Sequence, residues 1–230
     1  MKTLGLIGGM SWESTAVYYR RLNQIARDRL GGRHSAEVLV YSVDFAPIAD
    51  MQAVGDWDSA TRAMIEAARR LERGGAAALL ICANTMHRMA DEVQAAIAIP
   101  LIHIADVTGA AISAEGVRRP LLLATRFTME QEFYRDRLER GGVKAAIPPA
   151  AARERLHAII YDELVQGRVE AASRAAFIAV VREAMAEDGV DGAILGCTEF
   201  GLLVGPDDLP VPTFDTTELH ARAAMDFALA

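Results

Sequence analysis

The sequence predicts an α/β protein built as two pseudo-symmetric lobes, each a roughly four-stranded parallel sheet flanked by helices. Two observations carry this. Short apolar, β-rich runs alternate with longer segments of helical period, the pattern left by parallel strands joined through crossover helices. One stretch also echoes another: "GGAAALLICANT" (74–85) and "GVDGAILGCTEF" (189–200) share glycine, apolar strand, cysteine and threonine in that order, each after an Ala-rich helix. Eight candidate strands in 230 residues would also suit a single (β/α)8 barrel, which typically needs about 250 residues. Two similar half-units facing each other account for the echo more economically.

The strands are expected at residues 4–7, 38–43, 77–81, 101–104, 121–123, 143–147, 192–195 and 211–214. Each is short and apolar, as strands covered on both faces must be. Between them, residues 59–73 and 173–186 set Ala, Leu, Ile and Met at helical spacing with Arg and Glu interspersed, so helices cover both sheet faces. The boundary falls near 106–108. It gives a first lobe of 1–106 plus 211–230 and a second of 107–210, with no low-complexity linker at either crossing.

A chain of this length buries a proper core without disulfides. With 52% hydrophobic and 24% charged residues and a net charge of −7, it is a poor partner for a polyphosphate backbone, so nucleic acid is not expected. No apolar run reaches the length of a membrane span, and the N-terminus enters a strand-like stretch directly rather than through a signal peptide, which predicts a cytoplasmic protein with no membrane partner. Two cysteines in that compartment are expected as free thiols.

Four stretches can carry chemistry. "GLIGGMSWEST" (5–15) reads as strand, glycine turn and helix start with Ser11 as N-cap and Glu13 in the first turn. Exposed amides there would attract a carboxylate or phosphate; alternatively Gly8 and Gly9 only tighten the turn. The pattern lacks G-x-G-x-x-G and a following basic residue, which argues against a nucleotide. Cys82 and Cys197 close their strands, where open parallel sheets place ligand crevices, and a thiol beside a helix N-terminus would have its pKa lowered from roughly 8.5. Against this stands the general tendency of cysteine to be inert core, weakened here because two occupy matched positions. Asn84, Thr85, Thr198 and Glu199 follow the strands as short polar groups able to bind a carboxylate or ammonium, or to cap helices. His87 and His103 come without any characteristic metal-ligand spacing, so no metal is expected.

Through "GLIGGMSWEST", "VDFAPI", "CANTMHRMADEV", "HIADVTGAAI", "TRFTMEQEFY", "IIYDEL", "GCTEFGLLV" and "FDTTELHA" the chain resembles, over essentially its whole length, the cofactor-independent aspartate/glutamate racemases. The resemblance implies an active site in the interlobe cleft, a homodimer, no cofactor (neither pyridoxal phosphate nor metal), and a small amino-acid substrate. In that family two thiols face the substrate Cα from opposite sides; one removes the α-proton and the other returns one. Carried over, Cys197 and Cys82 would be catalytic, and Met10, Ser11, Gln52, Ala83, Asn84, Thr85, Thr125, Thr198 and Glu199 would contact substrate.

The chain departs from the family in two places. The first thiol of two-cysteine members stands directly before Asn-Thr, and that position is Ala83; one residue along a strand turns a side chain to the other face, so Cys82 is expected to look into the core unless a bulge re-aims it. The basic residues that clamp an acidic substrate are replaced by Met51 and Val165, which predicts altered or broader amino-acid preference, with Arg126 and Arg168 as possible substitutes. The leading expectation is an amino-acid racemase. A decarboxylase or other carbanion-forming enzyme needing one thiol, and an inactive binder of small acids, are the alternatives.

Overall fold

The computed structural model describes residues 1–205 and 207–230. The chain divides into two compact units, 1–103 with 220–230, and 104–219. The crossings at 103/104 and 219/220 stand against the expected 106 and 211. The last strand, Thr213–Asp215, pairs with Gly192–Leu195 and so completes the second sheet before the chain leaves it.

In the first unit β1 (Leu4–Gly8), β2 (Val38–Ser42) and β3 (Ala78–Ile81) form a parallel sheet in the order β2-β1-β3. A single parallel bridge, Leu79 to Leu101, adds a fourth position beside β3. In the second unit β4 (Pro120–Leu123), β5 (Gly192–Leu195) and β6 (Thr213–Asp215) lie in the order β4-β5-β6, and a bridge from Leu121 to Ala146 adds a fourth position beside β4. Numbered along the chain within each unit, both sheets read second, first, third, fourth. That shared order is the pseudo-symmetry the echo predicts. The expected runs at 101–104 and 143–147 therefore supply one bridge each, not full strands; at Ile104 the chain is already entering a helix.

The interior strands are buried along their whole length because helices cover both faces. On one face of the first sheet Leu4, Leu6, Ala78, Leu80 and Cys82 pack with Tyr18 and Leu22 of α1 (Trp12–Leu30) and with Ala221, Ala224 and Met225 of the last helix (Thr216–Leu229). On the other, Ile7, Leu79 and Ile81 pack with Met64, Ala67, Ala68 and Leu71 from Trp57–Arg73. That helix starts on Asp56, whose side chain accepts the Ser59 N–H at 3.0 Å, and buries residues 60, 64, 67, 68 and 71, one stripe at helical period. In the second unit Ala171–Asp188 buries Ala176, Phe177, Val180, Val181 and Ala184 and ends at Gly189 in the left-handed conformation, φ 64°.

Candidate active site

Corresponding positions in the two sheets can be matched by register. Ile7 pairs with Ile81, and the Cys82 N–H then donates to the Ile7 carbonyl at 2.9 Å. Leu123 pairs with Leu195, and the Gly196 N–H donates to the Leu123 carbonyl at 2.7 Å. Cys82 thus corresponds to Gly196, and Ala83 to Cys197. The two cysteines of the echo are one residue out of step.

In the second unit the strand end carries a compact polar group. The Cys197 thiol donates to Glu199 Oε2 at 2.9 Å, and the Thr198 hydroxyl donates to the same oxygen at 2.6 Å. All three side chains are buried, Cys197 to 8% exposure. Burial, and then the Glu199 charge and hydrogen bond, raise the Cys197 pKa well above its ordinary value. The expected lowering by a helix N-terminus is therefore corrected: the helix that follows is only Phe200–Leu203, and the adjacent carboxylate works in the opposite direction. On the neighbouring strand Thr125 caps Arg126–Glu130, accepting the Thr128 N–H at 3.4 Å. It stands two residues past Leu123, as Cys197 stands two past Leu195, the partner of Leu123 in the sheet.

The corresponding end of the first sheet carries no such group. Cys82 continues the alternation of Ala78 and Leu80 into the apolar cluster beneath α1, at 0% exposure, and no bulge intervenes. Burial alone raises its thiol pKa. Ala83 turns to the other face, half-buried against the Ile7–Ile81 cluster. Its carbonyl accepts from Nδ1 of His87 at 2.9 Å in the turn Thr85–Met89, where Asn84 and Thr85 are buried. Gln52, also buried, donates to Met86 Sδ at 3.1 Å, and Met10 packs into the same apolar cluster.

The glycine turn keeps its own amides. The Gly9 N–H donates to the Thr15 hydroxyl at 2.8 Å, and the Ser14 N–H donates to Ser11 at 3.3 Å. Gly9 has φ 92°, and a Cβ there would stand 2.2 Å from the Val43 carbonyl. A tight turn thus accounts for both observations without an anion. Ser11 caps α1 as expected.

Beneath the first strand end lies a network that sequence reasoning missed. His220, fully buried, donates from Nε2 to the Ile102 carbonyl at 2.7 Å, which leaves Nδ1 to accept the Tyr18 hydroxyl at 2.8 Å. Desolvation lowers its pKa to about 4. The His87 ring lies 4.8 Å from His103 and 5.7 Å from His220. Among the described residues no three His, Cys, Asp or Glu side chains are grouped to hold a metal ion, and no helix is long and apolar enough to cross a membrane.

Near the second strand end, Tyr161 and His157 also escaped the sequence reading; their i, i+4 spacing in "HAIIYDEL" was the available signal. The proposed replacements for a substrate clamp are engaged elsewhere. The Arg126 guanidinium pairs with Glu154 at 2.9 Å, and that of Arg168 donates to the Asp162 carbonyl and the Gln166 side chain. Met51 and Val165 each pack against the apolar cluster of their own unit.

Comparison with known proteins places this geometry in context. The Asp/Glu/Hydantoin racemase family matches residues 7–224. Among solved structures, the chain is similar over its whole length to a Yersinia pestis protein provisionally assigned as an Asp/Glu racemase, 49% identical with a TM-score of 0.92 and full coverage of both chains. An aspartate racemase homologue from Pyrococcus horikoshii OT3 is 33% identical with a TM-score of 0.88, again across both chains. Among curated proteins, it is 25% identical over 142 residues to the broad specificity amino-acid racemase RacX of Bacillus subtilis. The match covers 60% of this chain and 61% of that one, so the chain spans about three fifths of this relative's length.

Proposed function

For a chain that belongs to the Asp/Glu/Hydantoin racemase family, we propose the function of a free amino-acid racemase whose acid/base group is Cys197, working with Glu199 and without pyridoxal phosphate or metal. The observation that carries this reading is the 2.9 Å contact between the Cys197 thiol and the Glu199 carboxylate at the end of an interior strand. An α-proton is a very weak acid, so its removal needs a base that is strong when formed and water-poor surroundings that hold it in place. A thiol whose pKa is raised supplies such a base if its proton can leave. Glu199 is placed to take it: the S–H proton passes to the carboxylate, the thiolate removes the Cα hydrogen, and reversal of both steps returns it. Thr198 and Thr125 are proposed to contact substrate from the same unit. Ser11, Met10, Gln52, Asn84 and Thr85 are proposed as further substrate contacts.

Inversion needs a second proton carrier on the opposite face of Cα. The register equivalent of Cys197 is Ala83, which carries no proton, and Cys82 is sealed in apolar packing. Water is therefore proposed for that role, and Cys82 is assigned to packing. The same observation favours a second reading, a carbanion reaction such as decarboxylation in which one proton arrives on one face only. Apolar Met51 and Val165 point to neutral amino acids over aspartate, and the broad specificity named for the Bacillus subtilis relative is in keeping with that. A homodimer in the cytosol belongs to the same proposal, carried by resemblance alone.

The test is incubation with a panel of amino acids in deuterated water, following α-hydrogen exchange by NMR and chirality by chromatography. Exchange coupled to inversion, lost in Cys197→Ala, supports the racemase. Exchange with retention or release of carbon dioxide would transfer support to the second reading. Equal activity of wild type and Cys197→Ala would end both.

A further inference from the structure

Two donors at the end of β5 converge on a single oxygen. The Cys197 thiol reaches Glu199 Oε2 at 2.9 Å, and the hydroxyl of Thr198, the residue between them, reaches it at 2.6 Å. The second distance is that of a charge-assisted O–H···O⁻ bond, about 2.5–2.7 Å, whereas a thiol is a weak donor. Of the two contacts, the hydroxyl's therefore does more to fix where that oxygen stands. All three side chains are buried, so water has little access to compete for it.

The backbone under this contact is already tied down. Between β5 and the short helix Phe200–Leu203, the Phe200 N–H donates to the Cys197 carbonyl at 3.1 Å and the Leu202 N–H to the Glu199 carbonyl at 2.9 Å. What is left to settle is the Glu199 side chain, which turns about three torsions. A buried carboxylate that lost its strong donor and kept only a thiol would turn toward better partners, because an under-satisfied charge is costly away from water. The rotamer that brings Oε2 to the sulfur thus depends on the neighbouring hydroxyl.

We propose that Thr198 is the positioning residue of the Cys197–Glu199 pair: its hydroxyl holds Glu199 Oε2 against the sulfur, so that the oxygen taking the thiol proton is in place before substrate arrives. The inference rests on the acid/base reading given above and adds a role to it. In the transfer the S–H bond breaks and an O–H bond forms on Oε2, leaving the negative charge on sulfur. The hydroxyl bond favours the charged carboxylate and so keeps the proton on sulfur at rest; what it contributes to the transfer is placement. A hydroxyl has one hydrogen to give and two lone pairs. The hydrogen is spent on Glu199, and the lone pairs stay available to a donor on the substrate, so this role is compatible with substrate contact. Asp215 on the neighbouring strand caps the amides of Thr217 and Glu218, at 2.9 and 3.1 Å, and Glu163 accepts from Ser173 at 2.9 Å. The Tyr161 phenol, pushed up to about 12 by burial first, stays neutral over the range of the test.

The test reads the sulfur with and without turnover. Alkylation of Cys197 by iodoacetamide, resolved by peptide mass spectrometry, is followed from pH 7 to 10 in wild type, Thr198→Val and Thr198→Ser, each also combined with Glu199→Gln. With the hydroxyl gone the carboxylate turns away and its charge no longer opposes the thiolate. Thr198→Val is therefore expected to speed alkylation about tenfold at fixed pH, a shift of about one pH unit, while kcat for α-hydrogen exchange falls by a similar factor. Thr198→Ser keeps the hydroxyl and is expected within about threefold of wild type in both. In the Glu199→Gln background there is no charge to place, and the valine is expected to change alkylation less than twofold. An equal acceleration in both backgrounds would mark a sulfur merely more exposed and overturns the proposal. So does alkylation unchanged or slowed in Thr198→Val, since the carboxylate is then held without the hydroxyl. Should the valine variant not fold, Thr198→Ala carries the same comparison. If no protein exchanges hydrogen with any amino acid, the racemase reading fails, while alkylation in the two backgrounds still decides whether Thr198 places Glu199.

Discussion

The ends of β3 and β5 answer to one another in sheet order, register and closing hydrogen bond, yet only the second brings a thiol against a carboxylate. After β3, the residue making that hydrogen bond is Cys82, whose side chain drops into the cluster beneath α1. After β5 it is Gly196, where a Cβ would come within 3.1 Å of Ala124 Cβ, Leu122 Cδ1 and the Leu123 carbonyl oxygen, so any side chain there would press on its neighbours. One residue later the roles reverse: Ala83 is inert, and Cys197 meets Glu199 at 2.9 Å. Parity along a strand, not the presence of a cysteine, decides which sulfur meets a polar partner. The neighbours reinforce the difference. Cys82 packs in an apolar cluster, while Cys197 donates a hydrogen bond to a carboxylate.

The comparison breaks most visibly if the wrong cysteine matters. Cys197→Ala is expected to lower α-hydrogen exchange by about 10² to 10⁴-fold, the range a positioned acid/base group contributes, with the folded state intact by circular dichroism. Glu199→Gln preserves an acceptor oxygen but removes the charge that takes the thiol proton. It is expected to cost about tenfold less than the cysteine change and to displace the pH profile of kcat. A loss in Cys82→Ala as large as in Cys197→Ala would show that register does not govern reactivity here.

Much of this architecture could be read beforehand, for identifiable reasons. Residues 192–195 are expected as a strand and are one: the run between Asp191 and Gly196 is too short for a helix of its own, and pairing with β4 and β6 satisfies its buried backbone. Residues 101–104 misled because a short apolar run does not distinguish a strand from the entry to a buried helix; Ile104 begins one, leaving Leu101 a single bridge. Within the site, the inward turn of Cys82 followed from counting along the strand. The rise in both thiol pKa values did not, since it depends on burial and on where the Glu199 carboxylate folds back. The Tyr18–His220 bond was out of reach altogether, joining residues 202 positions apart.

That bond makes the β3 end sensitive to acid. His220 has a folded pKa of about 4 against about 6.5 for a free imidazole. The unfolded chain therefore takes up the proton first, and the contribution to stability is whole above pH 6.5 and lost as pH falls toward 4. The span corresponds to about 3 kcal/mol, of which about 2 is gone at pH 5. Denaturant unfolding at pH 7 and pH 5 measures it. His220→Gln, which can still donate to the Ile102 carbonyl, is expected to flatten the dependence while lowering stability at pH 7. An unchanged slope in that variant would assign the acid sensitivity elsewhere.

The two smallest effects bear on position 82 against 83. Ala83→Cys installs a thiol at the register equivalent of Cys197, on the opposite parity from Cys82. It is expected to raise exchange coupled to inversion about tenfold, an increment at the low end of acid/base contributions because a new thiol there arrives without a partner like Glu199. Cys82→Ala removes one buried sulfur from packing against Leu4, Leu6 and Leu80. A change of that size resembles the loss of a single buried methyl and is expected to cost about 1 kcal/mol in denaturant unfolding, with kcat within twofold of wild type. The double variant Cys82→Ala, Ala83→Cys then separates the two roles cleanly: it keeps the gain in inversion and shows the same stability loss. If instead the gain disappears with Cys82, the sulfur at 82 reaches the reacting carbon through a motion of the strand end, and parity in the folded state is not what silences it.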